Sequence, residues 1–306
     1  MFANCCRVGP GALVEPFFDQ SIERIVRNKR GCSQSMALEA LASASGKAPS
    51  GFIFHVSRCG STLLSQLLAS VPGVAVFAEP AVIEAVLRGA YRQGGGANEE
   101  KIGLLRTVVG AFASHAAADA VFIKFTARAI VDYPLISQAY PDVPCIFVYR
   151  DPTEVIVSLV GNDDSRLPPG LSEAGLLCDA PETIRAMRPA EFWARVVASQ
   201  CAAGADMSRG SRWLLVDYGQ LPQAVWVEIA KFLGVAFGAA DIERMQRAAA
   251  RSAKNSELAF FDDRSAKRAA ASAEIQAWVD RLVRPHYERL ESLRTAFDTS
   301  DNAESP

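Results

Sequence analysis

Metal ligands and paired thiols are scarce in this chain of 306 residues. Its three histidines, His55, His115 and His286, do not cluster with cysteines at ligand spacing, which argues against a zinc site. The seven cysteines are odd in number and contain no C-x-x-C pair, so reduced thiols are expected rather than a disulfide framework. No apolar run approaches the roughly twenty residues needed to cross a bilayer. The amino terminus lacks the cationic start, apolar core and small-residue cleavage site of a signal peptide, and a cytoplasmic location is the expectation. Excess charge of one sign is missing too. A formal net charge of -2 excludes the broad basic field of a nucleic-acid binder, so an anionic ligand must be met by local cations.

What is present is an ordinary globular composition, 50% apolar and 22% charged, sufficient for a sizeable core. Residues 1–49 read as a helical extension, with helical spacing over 16–27 and 36–44, and Gly46 to Ser50 form a loop before the first strand. From residue 50 strands and helices alternate. Strands are expected at 51–56, 74–77, 120–125, 145–149 and 213–217. Helices are expected from Ser61, at 81–93, 99–117, 130–139, 152–160, 190–207 and 222–233, and at 272–297 as a packing helix. This order implies an α/β domain over 50–297, with a parallel sheet of about five strands flanked by helices on both faces. Residues 298–306 read as a flexible tail.

The most informative segment is 51–64, Gly-Phe-Ile-Phe-His-Val-Ser-Arg-Cys-Gly-Ser-Thr-Leu-Leu, an apolar strand entering a small-residue turn and then a helix. Unpartnered amides and the helix dipole make such a turn an anion cradle. Gly60 lets the backbone approach the anion, Ser61 and Thr62 add hydroxyls, and Arg58 adds a cation that can fork onto anionic oxygens. The turn resembles a Walker A loop but departs from it. Ser61 stands where that loop has lysine, and the cation precedes the glycine. An ordinary strand-to-helix turn has the same composition. A second segment, 145–158, runs from an apolar strand through Arg150-Asp151-Pro152 into a helix carrying Ser158. Arg150 thereby falls at a carboxyl strand end, where open α/β sheets bind ligands.

Together these segments resemble the sulfotransferases that use 3'-phosphoadenosine 5'-phosphosulfate (PAPS), a family with a P-loop NTPase-like fold. The resemblance implies that Arg58, Cys59, Gly60, Ser61, Thr62 and Leu63 hold the 5'-phosphosulfate and that Arg150 and Ser158 hold the 3'-phosphate. Ala78-Glu79-Pro80 and Lys124 are similar to the tyrosylprotein branch. There they imply Glu79 as general base, with Lys124 and Arg58 steadying charge in the transition state. Golgi relatives in that branch carry a membrane anchor, and the expectation here is a chain without one. Val216 to Leu221 is similar to the family's Arg-Tyr-Glu-Asp-Leu, with Tyr218 near the adenine and Gly219 where an acid is usual. A late basic loop in the family folds over the nucleotide, a role that Lys254, Arg264 or Lys267 would fill. The implied reaction is metal-free transfer of a sulfuryl group to a hydroxyl or amine acceptor.

Other uses of the same residues remain open. A nucleotide-dependent kinase would cast Asp151 as the Mg²⁺ ligand, and a non-catalytic protein would bind adenosine 3',5'-bisphosphate without turnover. Glu79 before a proline also suits a helix start, and Lys124 a plain strand end. The polar stretch 162–189, with Asp163-Asp164, reads as a long surface excursion. His55, inside the first strand, reads as a satisfied core side chain.

Overall fold

The computed structural model of the chain describes residues 2–6, 13, 15–28, 33–44, 46–89, 97–161, 175–177, 179–208, 212–250 and 264–303. Seven strands are described: β1 (Phe2–Cys6), β2 (Ser33–Ala37), β3 (Gly51–His55), β4 (Val74–Ala78), β5 (Ala120–Lys124), β6 (Cys145–Tyr149) and β7 (Trp213–Asp217). The last five form one parallel sheet in the order β4-β5-β3-β6-β7, flanked by helices. Every residue of β3 and of β6 is buried, as expected of apolar runs covered on both sides.

The chain divides into two compact units, and β3 contributes to each. The first comprises Met1–Ile53, Thr62–Cys145 and Pro222–Phe260. Within it β4 and β5 pair from Val74↔Ala120 to Ala78↔Lys124, and Phe52 meets Phe125 edge-on at 5.1 Å between ring centres. Helices α1 (Phe18–Asn28), α2 (Leu38–Ala44), α4 (Ala81–Arg88), α5 (Asn98–His115) and α6 (Tyr133–Ala139) belong to this unit, as does most of α3 (Ser61–Ala69).

The second unit comprises Phe54–Ser61, Ile146–Leu221 and Phe261–Pro306. It contains α7 (Pro152–Val160), α8 (Pro181–Ala186) and α9 (Pro189–Met207). Ile184 of α8 is buried with Phe192 and Val196 of α9, so part of the expected surface excursion is a packed helix. Residues 162–174, with Asp163 and Asp164, lie outside the described residues.

Several sequence expectations need correction. Residues 1–49 are not wholly helical. Phe2–Cys6 and Ser33–Ala37 form an antiparallel ladder, and Met36 belongs to that strand. Helix α4 stops at Arg88 because Gly89 adopts φ 65° and its N–H closes back onto the Ala85 and Val86 carbonyls. The segment 222–233 is a 3₁₀ turn at Gln223–Val225 followed by α10 (Glu228–Leu233). α11 (Ala239–Ala249) follows it, and α12 (Arg264–Ala269) belongs to the second unit. The expected last helix is α13 (Ala273–Trp278), a π turn at Val279–Val283, and α14 (Arg284–Ala303), which continues past the expected end at 297. Among the described residues no helix is long and apolar enough to cross a membrane.

Candidate functional site

In the second unit the loop after β3 is pinned along β6. Val56 N–H donates to the Val148 carbonyl at 3.0 Å, and Cys59 Sγ donates to the same oxygen at 3.1 Å. Ser57 N–H donates to Gln200 Oε1 on α9 at 3.4 Å. Cys59 is fully buried, so its thiol faces inward and only its backbone remains for a ligand. His55 is likewise a core residue, with Nδ1–H donating to the Val56 carbonyl at 2.9 Å. Arg58 and Gly60 take φ values of 59° and 86°, both in the left-handed region, and α3 begins at Ser61, so the turn leads into the helix N-terminus. Ser61, Thr62 and Leu63 are buried at its first turn.

Arg150 follows β6 directly and is buried. Its guanidinium carbon lies 4.1 Å from the centre of the Tyr218 ring, and its Nε donates to Glu154 Oε2 at 2.6 Å. Tyr218 is set by a small turn at the end of β7. Asp217 Oδ1 accepts from Gly219 N–H at 2.7 Å, and Gln220 Oε1 accepts from Asp217 N–H at 2.9 Å. The Tyr218 ring also abuts Gly60, where a Cβ would stand 2.5 Å from the ring. Gly60, Arg150 and Tyr218 are therefore one packed group. Ser158 is half-buried on α7.

Asp151 is occupied structurally. It caps α7 by accepting from the Thr153 and Glu154 amides at 2.9 and 3.3 Å, and Arg284 lies 3.6 Å from its Oδ2. The late basic residues fall on α12. Arg264 is exposed, with Nη1 4.0 Å from a Cβ placed on Gly219, and Lys267 is half-buried. Lys254 lies outside the described residues.

In the first unit Glu79 and Lys124 meet at the ends of paired strands. The register places Ala78 opposite Lys124, Glu79 N–H donates to the Lys124 carbonyl at 2.7 Å, and Lys124 Nζ pairs with Glu79 Oε1. The lysine side chain is 1% exposed against 24% for the glutamate, so the ammonium is enclosed while the carboxylate keeps an open side. Phe17 covers the ammonium at 5.4 Å from its ring centre. Glu79 has φ 54°, and with Arg58 it is one of two non-glycine residues in the left-handed region among the described residues.

Glu79 stands just before Pro80, the N-cap of α4 (Ala81–Arg88), and Ala81 N–H donates to Asp19 Oδ2 at 2.9 Å. Beside Glu79, Glu84 accepts from Thr126 Oγ1 at 2.7 Å, lies 3.5 Å from Arg128 and pairs with Arg88. Burial pushes the nearby Asp132 carboxyl above its ordinary range, opposed by Arg128 and reinforced by Glu84.

Sequence reasoning passed over Glu154, Arg268 and Asp19. A lone acid within the apolar run of α7, four residues after Arg150, was the available signal for the first. The other two are joined to their partners only by the fold.

No family model and no curated protein matches the chain. Among solved structures it is similar to the sulfotransferase domain of the Synechococcus PCC 7002 olefin synthase, at 18% identity over 80% of this chain and 95% of that one, with a TM-score of 0.43. It is similar to a sulfotransferase from Alicyclobacillus acidocaldarius at 17% identity over 79% and 99%, with a TM-score of 0.40. A mouse sulfotransferase complexed with PAP aligns at 12% identity over 84% and 87%, with a TM-score of 0.37. Likeness at this level leaves the side chains described above to carry the functional reading.

Proposed function

We propose that the protein is a sulfotransferase that moves a sulfuryl group from PAPS to a hydroxyl or amine acceptor. The observation that carries this reading is the packed group Gly60, Tyr218 and Arg150, in which one ring touches both the cradle glycine and the second strand-end arginine. A ligand anionic at both ends suits that pairing, and PAPS carries its 5' and 3' anions on a single adenosine.

The chain's residues suit the parts of this chemistry. Loop amides from Gly60 to Leu63 hold anionic oxygens in line, with Arg58 as their cation. Arg150, with Ser158 further along α7, takes the 3'-phosphate, Tyr218 lies toward the adenine, and Arg264, Lys267 and Lys254 supply the late cations. Glu79 removes the acceptor's proton as the acceptor oxygen or nitrogen bonds to sulfur. The bond from sulfur to the bridging phosphate oxygen breaks, and Lys124 and Arg58 offset the charge left on adenosine 3',5'-bisphosphate. No step draws on a metal. Asp151, the acid that a kinase would assign to Mg²⁺, is already committed to capping α7 and to Arg284.

Calorimetry with adenosine 3',5'-bisphosphate and adenosine 5'-phosphosulfate tests the assignment. Arg58→Ala weakens both ligands, whereas Arg150→Ala weakens the bisphosphate and leaves the 5'-phosphosulfate nearly unchanged. Equal losses for both ligands in Arg150→Ala refute its role. A labelled-sulfate screen over phenols, sugars, lipids and tyrosine peptides then finds the acceptor. Tight bisphosphate binding without transfer to any of them would favour a non-catalytic protein.

A further inference from the structure

We infer that Glu154 is a positioning residue that clamps Arg150 and Arg268 as a pair and so sets discrimination for a 3'-phosphorylated nucleotide. This rests on the reading of Arg150 as the 3'-phosphate cation.

Glu154 is the one charged residue of α7, and its side chain is 1% exposed. A buried carboxylate is costly unless paired, and an apolar replacement of a buried ion pair is often neutral or stabilising. Stability alone therefore gives no reason for an acid here. Its two oxygens are divided between two elements. Oε2 takes Arg150 Nε at 2.6 Å, and Oε1 lies 2.7 Å from Arg268 Nε on α12. Arg150 is hydrogen-bonded through Nε, the atom that fixes its plane, while Arg268 stands at ion-pair distance without a hydrogen bond to Oε1, so two cations are brought to one carboxylate. Arg150 is held against Tyr218 on its other side, while the Arg268 side chain is 61% exposed. A carboxylate beside a phosphate pocket repels phosphate directly. It strengthens binding only by holding its arginines in place, so the sign of its effect separates the two roles.

The experiment is calorimetry with adenosine 3',5'-bisphosphate and adenosine 5'-monophosphate on the wild-type chain, Glu154→Gln, Arg268→Gln and the double variant. For Glu154→Gln the bisphosphate weakens by about tenfold or more, the size of one charge-assisted hydrogen bond, and the monophosphate changes by less than about twofold. Arg268→Gln gives a smaller loss of the same kind, and the double variant loses less than the product of the two. If Glu154→Gln does not fold, Arg268→Gln at its exposed position carries the test by the same ratio of affinities. A wild-type chain that discriminates between the nucleotides while Glu154→Gln keeps or increases the ratio overturns the clamp alone. A wild-type chain without discrimination overturns the reading of Arg150, and the clamp with it.

Discussion

Replacing Gly60 by alanine puts two separable costs on one residue. The first is conformational. At φ 86° an L side chain is strained by about 1–2 kcal/mol, partly offset by the smaller freedom of alanine in the unfolded chain. The second is steric. The added methyl would stand 2.5 and 2.7 Å from Cδ2 and Cε2 of Tyr218, so the ring must retreat by about 1 Å to reach ordinary carbon contact. It retreats against resistance, because the Asp217–Gln220 turn holds its backbone and the Arg150 guanidinium lies 4.1 Å from its centre. Loss of that cation–ring contact adds about 0.5–2 kcal/mol. The expected total is about 2–3 kcal/mol, read from urea unfolding of the wild type, Gly60→Ala, Tyr218→Ala and the double variant. Once the ring is gone only the conformational part remains, so the cycle should show a coupling of about 1–2 kcal/mol between the two sites. Bisphosphate affinity should fall in Gly60→Ala as Arg150 loses its support. An equal cost of the alanine with and without the Tyr218 ring would refute the packing argument.

Two further outcomes follow from the first unit. Glu79→Gln keeps the size of the side chain, so the bisphosphate should bind within about twofold while turnover falls by about a hundredfold or more. Full activity would remove Glu79 as the base. Asp132 carries a carboxyl raised by burial, with an Oδ2 that is buried and unpaired. Since its native pKa exceeds the unfolded one, the ionised form costs stability above that window and nothing below the ordinary value of 3.8. Asp132→Asn should therefore unfold at higher urea than the wild type at neutral pH, with the gain vanishing as the pH drops through the carboxylate range. A gain that persists at acid pH would contradict this account.

Local chemistry was legible in the sequence where it is written within a few residues. β6 and β7 match their expected bounds because each is an apolar run of strand length, and the turn from Arg58 to Thr62 stands out as a candidate because its small residues, hydroxyls and cation are contiguous. Helix α4 was drawn too long because apolar spacing continues past Gly89, and only the positive φ of that glycine ends it. The β1–β2 ladder was invisible. Ser33–Ala37 has no β-branched residue, and its conformation comes from pairing with a strand far away in the chain. The same distance hid the site's support. Arg150 with Ser158 was readable as a spacing, but the ring beneath Arg150 and the Arg268 that shares its carboxylate come from separate elements.

Arg58 and Glu79 both hold a backbone shape that suits glycine better than any side chain. At position 79 glycine would relieve about 1–2 kcal/mol of that strain but strand the enclosed Lys124 ammonium at a larger cost, so selection of a randomised library for heat resistance should keep the carboxylate there. At position 58 glycine would discard the cation, and improved variants of this protein should be sought with that codon frozen, or with turnover as a second criterion.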